Sequence, residues 1–204
     1  MTGPGSRDRG QVLPFYVAMM ACLLFAALAF VVVGMAGATR SDAQGAADAA
    51  ALAAAREARD NLLVGMDLLT LTPADWEDIL DGDRLNLNGA CAKASDFAAS
   101  NGATAECSPG VLRFTVTTET RQAIGDTVIP ETENMKGHAA ATAVIEPRCT
   151  LQPGPTPTAT PSPSATPGPV VIDCRGRGEV KVNPSTPGSL TKLARQLFNV
   201  RLIN

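Results

Sequence analysis

The stretch Val12–Ala38, VLPFYVAMMACLLFAALAFVVVGMAGA, contains no charged side chain. Wound as a helix at about 1.5 Å per residue it covers roughly 40 Å, more than the ~30 Å hydrocarbon core of a bilayer. Between Ala18 and Met35 only Gly34 and the thiol of Cys22 interrupt the apolar run. Pro14 falls in the first turn, where a missing N–H costs little. Phe15 and Tyr16 fall near headgroup level, as interfacial aromatics do. The segment 12–38 therefore reads as a transmembrane helix. A secretory signal peptide has an apolar region of about 7–15 residues, shorter than this one, although Ala36-Gly37-Ala38 matches a small-x-small cleavage pattern. Lipidation at Cys22 fits poorly, because Met19-Met20-Ala21 is not a small-residue box and the apolar run continues past the cysteine.

The 204 residues leave room beside this helix for one modest domain. Aromatics make up only 4% of the chain, so its core must be built from small side chains. A formal net charge of −3 argues against a nucleic-acid partner, which selects basic surfaces. Cys91, Cys107, Cys149 and Cys174 all follow the apolar run, and an even number in one compartment reads as a disulfide set. Zinc would favour close Cys-x-x-Cys pairs, and His138 is the only histidine. Disulfides imply an oxidising exterior. Loop-closure entropy favours near neighbours, giving Cys91 with Cys107 and Cys149 with Cys174. Arg7 and Arg9 before the run against Arg40 after it give only a weak charge bias. The cysteines settle the orientation: a single-pass protein of the cell membrane, with residues 1–11 cytoplasmic and the rest extracytoplasmic.

Beyond the membrane the expected class is α+β: a long Ala-rich helix continuing the anchor, short helices, then a small antiparallel sheet. Residues 39–152 form the main domain, 153–169 a Pro/Thr-rich spacer or loop, and 170–204 C-terminal strands and an amphipathic helix. In Ser41–Arg59, Ala43, Ala47, Ala50, Ala51 and Ala54 recur at helical spacing as a smooth stripe. It packs either on the chain's own domain or side by side with like subunits, since small residues allow close approach. Thr72-Pro73-Ala74-Asp75 starts a helix carrying Trp76, Ile79 and Leu80 on one face and ending near Gly82. Its acidic residues do not follow a calcium loop, because Leu85 stands where an oxygen ligand is needed.

A helix over Ala90–Ser100 carries Cys91, Ala94 and Ala98 on one side, with Phe97 available to the core. It stops at Asn101-Gly102. Val111–Thr118 and, more weakly, His138–Ile145 alternate as strands. The stretch PGPTPTATPSPSATPGP favours extended polyproline II. Val170–Ile172 and Val180–Val182 read as short strands about a Gly-rich turn. In the tail, Leu190, Leu193, Ala194, Leu197 and Phe198 fall on one face of a helix. That face docks either on the chain's own sheet or on a partner or membrane surface.

No catalytic constellation stands out: there is no G-x-S-x-G, P-loop or H-E-x-x-H, and His138 lies alone in a strand-like run. The reading is of a non-enzyme with no cofactor, no metal and no identified small-molecule substrate. Arg9-Gly10-Gln11-Val12-Leu13-Pro14, the apolar run and then Ala46-Ala47-Asp48-Ala49-Ala50-Ala51-Leu52-Ala53 resemble the TadE/TadG-like family of Flp (tight-adherence) pilus assembly over residues 7–55. Ala99-Ser100-Asn101-Gly102-Ala103 followed by a strand is also similar to the extracytoplasmic part of these proteins. The resemblance implies a pilin-like or pseudopilin-like envelope protein that acts by assembly. Its expected partners are the membrane and other pilus or secretion-apparatus subunits, including itself. A prepilin-type processing site would place Gly10 before the cleaved bond and Glu five residues on, where this chain has Phe15. The large adhesion domain of many TadG proteins has no room here. A surface adhesin or wall-binding module on the Pro/Thr spacer is the alternative.

Overall fold

The computed structural model describes residues 12–123, 134–152 and 168–203. Residues 1–11, which carry the Arg9-Gly10 motif and the expectation of a cytoplasmic N-terminus, and nearly all of the expected Pro/Thr-rich spacer lie outside the described residues. Helix α1 runs unbroken over Val12–Asp60, joining the apolar segment to the Ala-rich one. Two short helices follow, α2 at Pro73–Asp81 and α3 at Ala90–Ser100. Strands β1 (Ala103–Gly110), β2 (Arg113–Thr120) and β3 (His138–Pro147) come next, then β4 (Cys149–Leu151), β5 (Val170–Cys174) and β6 (Gly178–Val182). The order ends with α4 (Leu190–Leu197) and β7 (Phe198–Ile203). The class is α+β. One antiparallel sheet has the order β1-β2-β3-β7, and a smaller one has β4-β5-β6.

Local chemistry explains the boundaries. The Thr72 hydroxyl accepts from the Asp75 N–H at 3.2 Å, and the Asp75 carboxylate accepts from the Thr72 N–H at 2.8 Å. This capping box, with Pro73 in the first turn, satisfies donors that a helix start leaves open. Gly82 ends α2 at φ 87°, a conformation that side chains with a Cβ rarely adopt. In β2, Phe114, Val116, Thr118 and Thr120 point inward at every second residue.

The expected strand at 111–118 is shifted. Gly110 pairs with Arg113, so Val111 and Leu112 form a two-residue turn, with Leu112 at φ 53° and its side chain packed on Gly82. Strand β1 follows Ala99–Gly102, where the resemblance implies a strand, although ATAECSPG is rich in small residues and shows no alternation of its own; Pro109 is tolerated because β1 is an edge strand. Phe97, expected in the core, instead faces outward at 42% exposure with Lys93 Nζ 5.9 Å from its ring centre. Phe198 is also corrected, since it does not extend the tail helix. Its backbone turns extended (φ −128°, ψ 140°) and begins β7, where it pairs with Pro147 of β3. Sheet pairing over Phe198–Ile203 outweighs one further helical turn.

The core lies between the Ala-rich half of α1 and the four-stranded sheet, with α3 alongside. Nine alanines of α1, from Ala43 to Ala58, are buried there. Small side chains let the helix approach the sheet closely, while bulk comes from Trp76, Phe114, Phe198, Leu62, Leu63, Ile79 and Ile145. Thr118 is buried, and its hydroxyl donates to the Ala43 carbonyl at 2.9 Å, tying β2 to α1.

Candidate functional site

The feature that sets this chain apart is the contrast between the two halves of α1. Over the apolar half, Val12, Leu13, Phe15, Tyr16, Phe25 and Phe30 are all more than 60% exposed, and the most apolar window has no residue buried. From Ala43 onward the same helix lies within the core. An uncovered apolar helix of this length is unstable in water, because each large side chain left exposed forgoes roughly 1.5–3 kcal/mol of transfer free energy. By length and composition α1 can cross a membrane once.

The change from exposed to buried is abrupt because the domain grips α1 at its exit from the apolar run. A Cβ on Gly137, just before β3, would collide with the Thr39 carbonyl, so glycine permits this close approach. The Gly137 N–H donates to the Thr120 hydroxyl at 2.9 Å, which in turn donates to the Gln122 carbonyl at 2.9 Å. These contacts place the start of β3 and the end of β2 against residues 39–43.

Ala43, Ala47, Ala50, Ala51 and Ala54 are each 0% exposed and face this chain's own sheet and α3. The stripe is thereby filled within the chain itself. Cys91 of α3 is bonded to Cys107 of β1, and Cys149 of β4 to Cys174 of β5, its register partner. The first pins α3 to the sheet edge. The second closes the smaller sheet across the segment that contains the Pro/Thr stretch. Cys22 is a free thiol exposed on the apolar half.

On α4, Leu193, Ala194 and Leu197 are buried and Leu190 is half-buried, and the buried Phe198 follows in β7. This face docks within the chain and offers no continuous apolar surface. Arg195, on the outer side of α4, bonds Asp60 at the end of α1 through Nη2 at 2.6 Å and Nε at 3.2 Å. Burial alone would raise the Asp60 pKa. The hydrogen bonds from Arg195 and Arg59, with their charges, outweigh it and hold the carboxyl below its usual value. Of the acidic residues on α2, Asp75 and Asp78 pair with Arg84. Among the described residues no cluster of His, Cys, Asp and Glu is placed to hold a metal.

No curated protein and no solved structure matches the chain. Residues 10–57, a span that takes in the exposed apolar half of α1 from Val12 and most of its buried continuation, match the model of the Tad family, described as Flp pilus-assembly TadE/G-like, the family that the N-terminal residues resemble.

Proposed function

We propose that the chain is a membrane-anchored structural or pseudopilin-like subunit of a Flp/Tad-type pilus assembly or a related secretion apparatus. The apolar half of α1 holds it in the bilayer by a single pass, with residues 1–11 cytoplasmic and the α+β domain outside the cell. The observation that carries this reading is the coincidence of the family match with a long segment whose apolar side chains the fold leaves uncovered. Two disulfides in the domain favour an oxidising exterior over the cytoplasm. Because the domain's alanine stripe is already filled, the free surface for assembly is the apolar half of α1 itself, which meets other membrane helices or lipid.

The test is photo-crosslinking in intact membranes from probes at Leu24 and Phe30. Recovery of the polytopic or helical subunits of a Flp-type apparatus supports the reading. Crosslinks to lipid alone, together with piliation unchanged by deletion of the chain, would overturn it in favour of an isolated surface adhesin.

A further inference from the structure

Where α1 leaves its apolar run, a polar groove of about 540 Å³ opens between three parts of the fold. Thr39 and Asp42 line it from α1, Asn101 from the α3–β1 turn, and Thr120, Arg121 and Gln122 from the end of β2. The grip of Gly137 on Thr39 fixes this end of the sheet at that level of the helix. The groove's height over the membrane then follows from the sequence. If Tyr16 marks one interface, about 20 residues of helix reach the other near Ala36. Thr39 and Asp42 then stand roughly 5–9 Å beyond the hydrocarbon edge, at the depth of phospholipid headgroups.

We infer that this groove is a phospholipid headgroup site selective for a lipid carrying both a phosphate and a primary ammonium. The inference rests on the reading that α1 spans the bilayer, but not on which way round it spans. Arg121 supplies a planar guanidinium suited to a phosphate. Asp42, on a different wall, supplies a carboxylate suited to an ammonium. A groove with one cationic and one anionic wall matches a zwitterionic headgroup better than an anionic one, which would meet Asp42 unfavourably. A quaternary ammonium has no N–H to donate to Asp42, so a choline lipid makes only the phosphate contact. Thr39, Asn101 and Thr120 line the groove too, but their side chains already donate to the Met35, Phe97 and Gln122 carbonyls, so Arg121 and Asp42 carry the recognition. The volume suits one headgroup.

The experiment uses the full-length chain in detergent, titrated with dioleoyl lipids bearing ethanolamine, choline or glycerol headgroups and read by native mass spectrometry. The ethanolamine lipid is expected to be retained roughly three- to tenfold more than either other lipid. Asp42→Asn removes its advantage over the choline lipid, and Arg121→Gln removes the retention of all three to a common low level. Both side chains are exposed, so both variants keep their disulfides and their fold. Equal retention of the three lipids, a preference for the glycerol lipid, or full preference persisting in either variant overturns the proposal. A chain that still floats with vesicles yet shows no preference refutes the groove and leaves the membrane anchor standing.

Discussion

Removing the Cys91–Cys107 bond by a double Cys→Ala substitution tests how far this Ala-rich domain depends on its covalent ties. The two residues are 16 apart in sequence. The chain-entropy relation for a loop of that size gives about 10 cal/mol/K, or about 3 kcal/mol at 25 °C. For Cys149–Cys174, 25 apart, the same relation gives about 3.5 kcal/mol. Against a typical domain stability of about 5–15 kcal/mol, either loss is large. Trp76 is the only tryptophan and is 2% exposed, so its emission reports unfolding of the domain without interference from the membrane half of α1. Urea titration of the full chain in mild detergent, followed at Trp76, should give midpoints lowered by similar amounts in the two double variants. The variant lacking both bonds should be largely unfolded without urea. A midpoint unchanged by loss of Cys91–Cys107 would refute the reasoning, because it would mean that α3 and β1 are held together equally well by the core alone.

Other perturbations follow from the same geometry. Ala51→Leu forces extra volume between α1 and the sheet and should cost about 1–3 kcal/mol in the same urea assay, whereas Ala→Leu changes in the exposed apolar half should leave the midpoint unmoved. Phe114→Ala opens a cavity beneath β2 and should cost about 3–5 kcal/mol. Arg195 and Arg59 hold the folded pKa of Asp60 below its unfolded value, so its bond to Arg195 contributes fully above that unfolded value and is lost as pH falls through the lowered one. Because Arg195 is 59% exposed, solvent screening keeps the contribution small, and Asp60→Asn should flatten the acid limb of the stability profile only slightly.

How much was legible in the sequence depended on how local the determining physics was. The apolar half of α1 was plain because no charge interrupts residues 12–38, and α2 was plain because Thr72, Pro73, Asp75 and Gly82 each act within one turn. The Ala-rich continuation could be read as helix, but what its stripe touches is decided by β2, β3 and α3, which no local pattern names. Strand β1 was visible only through the resemblance at Ala99–Ala103, because edge position, and not β-propensity, makes ATAECSPG acceptable as a strand. The tail misled at Phe198: an i, i+3, i+4 pattern continues through it, yet pairing with β3 takes over at that residue. The groove beside Thr39 could not be seen at all, since Asp42 and Arg121 lie far apart in sequence and line one groove only because Gly137 lets the sheet end close on Thr39.

The most direct measurement of the central claim is the topology of the full chain in intact cells. An epitope placed before Val12 and another after Asn204 are probed with external protease, and an impermeant thiol reagent is applied after reduction. The account predicts that the C-terminal epitope is removed and that Cys91, Cys107, Cys149 and Cys174 are labelled without lysis, while the N-terminal epitope survives on a membrane-held fragment. A C-terminal epitope and four cysteines protected until lysis, or a chain released from the membrane in soluble form, would contradict it.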